Sequence, residues 1–321
     1  MKHNFKIAAI LISMFLLTQF IGLYVVDNYS SVKIVNGEKV EVDSPDLPFG
    51  LETPDIKEEK EFSQMFFMIF IAFVFAVFLL LILTKINAEF IIKLWFFLVV
   101  VIALGIALNV FVMKVVPSNI EIFSSIFPLS WLLSLIISFP LAFIKIYKRD
   151  FLVHNTTELF VYPGIAAIFV PILNIYTISI FLVLISVYDM WAVWHSGIMQ
   201  KMAKYQIQKL NIFSGFFVPY VSKQVKAKIK KMKKSELKRK KIKVNIAILG
   251  GGDVVFPIMA SGVMLKTLGL FPAIFVILGA ALGLCYLMFF GKKKKFYPAM
   301  PFISAGIFAG MLLGYVFNLI I

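Results

Sequence analysis

The chain has 321 residues, of which 61% are apolar and 15% charged, and its mean hydropathy is +0.93. That is too little polar material to clothe a soluble domain of this length, so the solvent for most side chains is lipid. The net charge of +15 is not a nucleic-acid signature, because the lysines gather in loops between apolar runs.

A helix needs about 20 apolar residues to cross the hydrocarbon core. Nine such runs follow one another: Ile7–Val26, Met65–Thr84, Leu94–Met113, Ile122–Ile144, Leu159–Leu173, Ile175–Trp194, Val244–Leu265, Leu268–Phe290 and Pro301–Ile321. The first is too long for the apolar core of a signal peptide, and no small-residue cleavage site follows it, so it reads as a retained helix. The fifth and sixth are separated only by a turn around Pro171 and Asn174, and together they are too long for a single span. The one cysteine, Cys285, lies within the eighth run and reads as a small buried hydrophobe. The expected fold is therefore all-α, a multi-pass membrane protein of nine transmembrane helices.

Lys and Arg are retained on the cytoplasmic side, so loop charge sets the orientation. Lys2 and Lys6, Lys85 and Lys93, Lys145, Lys148 and Arg149, the segment Lys201–Lys243 and the cluster Lys292–Lys295 all fall on one side when nine helices are counted. The N-terminus is then cytoplasmic and the C-terminus external, and the cell membrane is the expected location. The chain divides into a six-helix part, 1–200, with an acidic external loop at 27–62, a basic cytoplasmic loop at 201–243, and a three-helix part, 244–321. The basic loop holds fifteen Lys or Arg residues and one acid, Glu236. Phe213, Phe216, Phe217, Tyr220 and Val221 lie among those lysines, the pattern of an interfacial stretch over anionic lipid headgroups.

Most acids lie near helix ends. Glu89, Glu121 and Glu158 are expected to reach water there. Asp189 and Asp253 instead lie well inside apolar runs. An ionisable group in a span costs roughly 2.5–3.5 kcal/mol on insertion scales, and its default reading is functional. Asp189 precedes Lys201 by twelve residues and Asp253 follows Lys243 by ten. In helices, both would sit on the order of 15–18 Å from the basic margin, on two antiparallel helices able to bring them face to face. Two carboxyls in low dielectric cannot both ionise and share one proton. One can then take a proton from water while the other donates to a carbonyl oxygen, which is aspartic proteolysis without metal or cofactor.

Gly250, Gly251 and Gly252 directly precede Asp253 and allow close backbone approach, and Pro257 loosens the helix after it. Glycines alone would read as small-residue packing; the adjacent intramembrane acid points to function. Pro298, Ala299, Met300 and Pro301 open the last run, where proline at a helix start is common. His3 and His154 read as loop residues, and His195, Trp191 and Trp194 as interfacial side chains. Neither a His-Glu-x-x-His zinc motif nor a Gly-x-Ser-x-Gly motif is present.

Together, Tyr188-Asp189, Gly250-Gly251-Gly252-Asp253 and Pro298-Ala299-Met300, each on its expected helix, resemble the motifs of the presenilin and signal peptide peptidase family of intramembrane aspartyl proteases, most closely its archaeal homologues. Met300 stands where that family has Leu, a volume-conserving change. The resemblance implies nine helices and catalytic roles for Asp189 and Asp253. It also implies a substrate groove shaped by Tyr188, Gly250, Gly251, Gly252, Pro298, Ala299, Met300 and Pro301, with Tyr188 beside Asp189. The implied partners are transmembrane peptides or single-span membrane proteins. The internal position of the long basic loop resembles presenilin and implies substrates with external N-termini. A homo-oligomer is compatible with this reading. An ion- or proton-coupled transporter using the two acids is the rival from another class, but no inverted repeat is visible and the third motif would go unexplained. A prepilin-type membrane aspartic peptidase is the second rival, disfavoured by Tyr188-Asp189 and by the Pro298 segment.

Overall fold

The computed structural model describes residues 5–35, 37–51, 59–122, 125–148, 150–196, 205, 212–220, 245–291 and 297–320. Nine α-helices run through these residues: α1 Phe5–Tyr29, α2 Glu59–Lys85, α3 Glu89–Val115, α4 Leu129–Phe143, α5 Phe151–Phe169, α6 Ile175–Trp191, α7 Gly252–Leu268, α8 Leu270–Phe290 and α9 Met300–Ile320. Eight are long and apolar enough to cross a membrane when α4 and α6 are counted with the π-helical turns Ile144–Lys148 and Ala192–Ser196 that extend them. The seventh has only 17 residues. Large apolar side chains such as Phe75, Phe78, Leu282 and Phe290 are exposed on the outside of the bundle, which suits lipid and not water.

The main core joins α1, α5, α6, α7, α8 and α9, with Phe15, Ile178, Leu182, Ile258 and Ile303 fully buried. A second core joins α3 to α4 and α5. The apolar window of α2 buries nothing, so this helix lies on the outside. Between α5 and α6 the chain turns at Val170–Ile172, and Asn174 and Thr177 restart the helix with reciprocal side-chain-to-backbone bonds of 2.8 Å each.

Three hairpins depart from the all-helical expectation. Strands β1 (Val32–Val35) and β2 (Glu38–Glu41) pair within the loop expected to be external. Strands β3 (Asn119–Ile122) and β4 (Ser125–Pro128) hold Ile122 and Ser125–Pro128, at the expected start of the fourth helix. Pro128 is the reason: it has no N–H for a preceding turn and holds extended angles, φ −61° and ψ 126°, so α4 starts only at Leu129. The largest correction is the third hairpin. The residues expected to open the seventh helix form β6 (Asn245–Gly250), which pairs antiparallel with β5 (Gly215–Tyr220) from the expected basic loop. Phe216 and Val218 are buried in the main core, as are Ala247 and Leu249 on β6. Phe216 therefore faces the protein interior and not a membrane surface, while Phe213, Phe217 and Tyr220 are half-buried and Val221 lies outside the described residues. The alternating pattern of β5 is that of a strand half-buried on one face. The remaining lysines of 201–243, and Lys292–Lys295, lie outside the described residues.

The most extensive helix contact is α8 against α9. A methyl group built on Gly279 would lie 2.1 Å from the Gly306 carbonyl oxygen, and one on Gly310 would lie 2.3 Å from that of Phe275. Small residues at four-residue spacing let the two backbones touch, the usual source of helix affinity where lipid competes for apolar contact. Gly310→Leu is expected to lower stability in detergent by about 1–3 kcal/mol, through forced separation of the two helices. Leu312→Ala, at an exposed position of the same helix, is the control and should stay within about 0.5 kcal/mol. Denaturant unfolding followed by helicity measures both.

Candidate active site

Asp189 lies in the last turn of α6 and is buried. Its Oδ2 accepts a hydrogen bond from the Met300 backbone N–H at 3.0 Å. The Ala299 N–H is directed at the same carboxyl. These donors stand at the start of α9, where backbone N–H groups have no partner within the helix and the helix dipole is positive. Ala299 and Met300 thus reach Asp189 through their backbone, while Pro298, which has no N–H, precedes them. Pro301 sits within the first turn, where its missing N–H costs nothing. Nearby, the hydroxyls of Ser186 on α6 and Ser304 on α9 bond to each other at 2.9 Å and tie the two helices together.

Asp253 is the second residue of α7, directly after β6 and the three glycines. The Gly250 N–H is directed at its carboxyl. The charge of Asp189 acts on Asp253, so the two groups are within electrostatic reach. Phe181 of α6 meets Phe256 of α7 edge to face, with ring centroids 5.4 Å apart, which fixes the spacing of the two helices beside the acids. The glycines differ in what they allow. A methyl on Gly252 would meet only Phe256, at 3.6 Å, an ordinary contact. One on Gly250 would lie 3.2 Å from the Asp253 Oδ2. One on Gly251 would lie 2.8 Å from the Tyr162 hydroxyl and 2.9 Å from that of Ser214, so the middle glycine has no room for a side chain.

Tyr188 stands beside Asp189 in the chain with its side chain turned outward. It is 44% exposed, and its ring neighbour is Trp191, at 6.3 Å between centroids. Consecutive helical residues point about 100° apart, so a buried Asp189 turns Tyr188 outward. Trp191 and Trp194 are exposed, as interfacial aromatics should be.

Two expectations are overturned beside the site. Glu158 does not reach water: it is fully buried on α5, with Oε1 2.8 Å from Lys145 Nζ. His154 is not in a loop: it is buried on α5, with Nε2 2.9 Å from the Gly215 carbonyl oxygen. Both changes have one cause. Strand β5 lies across this face of α5 and covers it, and α5 side chains serve its backbone. Glu158 accepts from Gly215 N–H at 3.3 Å, and the Asn155 amide bonds both the N–H and the carbonyl of Phe217 at 3.1 Å. Gln19 was also missed. It is buried on α1 and donates from Nε2 to the Val254 carbonyl, one residue past Asp253, at 3.0 Å. Its only sequence signal is an amide inside an apolar run. The serine clamp is expected to show a coupling of about 0.6–1.7 kcal/mol in a double-mutant cycle of Ser186→Ala and Ser304→Ala, measured by unfolding in detergent.

The comparison with curated protein sequences gives no match. Two solved structures are similar over nearly the whole chain. One is described as a presenilin family intramembrane aspartate protease in a C222 space group. It has 16% identity, a TM-score of 0.59, and coverage of 97% of this chain and 99% of that one. The other, a presenilin family intramembrane aspartate protease in a P2 space group, has 18% identity and a TM-score of 0.56, with 96% of each chain covered. At such identities the likeness speaks for the fold. The family model described as signal-peptide peptidase, presenilin aspartyl protease matches residues 49–320, from the end of the first hairpin to the end of α9. This multi-pass membrane protein therefore belongs to the signal-peptide peptidase and presenilin family of aspartyl proteases.

Proposed function

We propose that the protein hydrolyses peptide bonds inside the transmembrane segments of single-span membrane proteins, with Asp189 and Asp253 as the catalytic pair. The observation that carries this reading is that two intramembrane acids on α6 and α7 lie within electrostatic reach of each other, with backbone N–H groups directed at each, next to a strand whose outer edge is unpaired among the described residues. In the reaction one carboxylate removes a proton from water and the oxygen attacks the amide carbon. The other carboxyl donates its proton to the carbonyl oxygen. As the tetrahedral intermediate collapses, one of its two hydroxyls returns a proton to the ionised carboxylate, the C–N bond breaks and the leaving nitrogen takes the proton of the other carboxyl, which restores the pair.

The strand explains how a helical substrate could be held. Gly215 and Phe217 of β5 spend their backbone groups on α5 side chains. By the alternation of an antiparallel ladder, Phe216, Val218 and Tyr220 then serve β6. Ile246 and Ile248 are left presenting N–H and C=O groups on the other edge, and among the described residues no further strand pairs there. An unwound substrate segment can add to that edge and run toward Asp253, with the backbone bonds it lost in unwinding made good. Tyr188, Gly250, Gly251, Gly252, Pro298, Ala299, Met300 and Pro301 border this groove.

The finer topology belongs to the same proposal. Strand β6 rises about 3.3 Å per residue and α7 about 1.5 Å. Their 6 and 17 residues together exceed the roughly 30 Å of the hydrocarbon core. Strand and helix thus make one crossing, and the total is nine. The charge rule then places the N-terminus inside and the C-terminus outside, with a six-helix and a three-helix part on either side of the basic loop. It also places the lysines of that loop at anionic lipid headgroups and selects substrates with external N-termini. The transporter reading has no observation in its favour.

Asp189→Asn and Asp253→Asn should each abolish cleavage of a single-span helical peptide by the purified protein, with helicity retained. The parent's activity should have an acidic and a basic limb, since the pair must share one proton; a profile flat across the pH range sinks the mechanism. Ile248→Pro removes an edge N–H only and should lower kcat/KM by about 10-fold, at a cost to stability of under about 1 kcal/mol. Leu249→Pro removes a ladder bond and should unfold the hairpin.

A further inference from the structure

One face of α5 carries His154, Glu158 and Tyr162 at successive four-residue steps. Lys145, from the π-helical turn after α4, closes on it. Glu158 Oε1 is shared between Lys145 Nζ and the Gly215 N–H, with His154 Nε2 3.5 Å away. The other oxygen, Oε2, and the Tyr162 hydroxyl are both buried and close together, without a well-aligned hydrogen bond among the described residues. That hydroxyl lies beside Glu158 and Ser214 and within electrostatic reach of Asp253. Two buried oxygens left open next to each other are costly unless they meet, directly or through a water.

Glu158 connects to Asp253 along two routes. The first runs through the sheet: Glu158 holds the Gly215 N–H, Gly215 stands opposite Gly250 in the register, and Gly250 lies against the Asp253 carboxyl with its N–H directed at it. The second runs through Tyr162, whose hydroxyl fills the space that a side chain on Gly251 would need. Both end on the backbone immediately before Asp253. A glycine triplet has little conformational preference of its own, so what it packs against sets its shape.

We propose that Tyr162 is a positioning residue for Asp253, held against Gly251 by the buried Lys145–Glu158 pair. The hydroxyl, turned toward Glu158, braces the Gly250–Gly252 turn from the side opposite the substrate edge, so the Asp253 carboxyl keeps one orientation while substrate enters. This rests on the assignment of Asp253 as catalytic. Tyr162 touches no reacting atom and acts only through the turn.

The test is steady-state cleavage of a single-span peptide by the full chain in detergent, with the parent, Asp253→Asn, Tyr162→Phe and the double variant Lys145→Met/Glu158→Gln. The double variant removes both buried charges together and so leaves neither unpaired. Tyr162→Phe should fold, keep the parent KM and lose kcat by about 10²-fold, the effect expected when a reacting group is slightly misplaced. The double variant should lose kcat to a similar degree, and adding Tyr162→Phe to it should cost little more, since both act on one turn. A Tyr162→Phe protein with kcat within about twofold of the parent overturns the proposal. If Tyr162→Phe fails to fold, the double variant decides: parent-like kcat overturns the proposal, and a kcat-only loss upholds it. An active Asp253→Asn would instead overturn the catalytic assignment beneath it, a result distinct from either.

Discussion

Peptide backbone that is not helical carries N–H and C=O groups that hydrocarbon cannot satisfy, and most of this structure follows from how that demand is met around one hairpin. Strands β5 and β6 pair with each other, but a two-stranded sheet still has two edges. On the β5 edge the bonds are made by side chains of a helix. Asn155 supplies a donor and an acceptor to Phe217, and Glu158 and His154 do the same for Gly215. Glu158 can do this in the interior only because Lys145 balances its charge, and removal of either partner alone would strand the other in low dielectric. On the β6 edge the bonds are open among the described residues, beside the two intramembrane acids.

That asymmetry gives the site its direction. In the proposed reaction a peptide arriving in lipid as a helix exchanges its internal bonds for others before its amide is attacked, and β6, which leads directly into Asp253, offers them. The acids beside it face main-chain donors, Asp189 at the start of α9 and Asp253 at Gly250. Main-chain donors suit this task because they are fixed by the whole helix or strand they belong to and bring no rotamer freedom of their own. The Ser186–Ser304 bond and the α8–α9 glycine contact keep α9 in place against α6 and α8, which keeps the Met300 N–H on Asp189.

The first helix contributes although the family model begins only at residue 49. Gln19 reaches the Val254 carbonyl from α1, and a methyl on Gly22 would lie 2.4 Å from an Ile258 side-chain carbon, so α1 and α7 are in close contact beside Asp253. The corner around Asp253 is therefore built from α1, α5, β5 and β6 at once, elements separated by up to 235 residues in the chain.

The amino-acid sequence by itself determined the solvent, the approximate helix positions and the two exceptional acids. Each of these is a local quantity: twenty apolar residues in a row, or an Asp within such a run, cost or gain the same free energy wherever the rest of the chain lies. The family was legible for a related reason, since its three motifs are short and contiguous. The tertiary structure alone decided that Asn245–Gly250 is a strand, because an apolar run before three glycines suits helix and strand alike until a partner edge is present. It alone decided that Glu158 and His154 are buried, because the strand covering them comes from 57 or more residues further on. It also decided that the Pro298 segment acts on Asp189 through backbone N–H groups, across 111 residues. A main-chain donor leaves no mark in the residue type that carries it, so no reading of side chains could have found it.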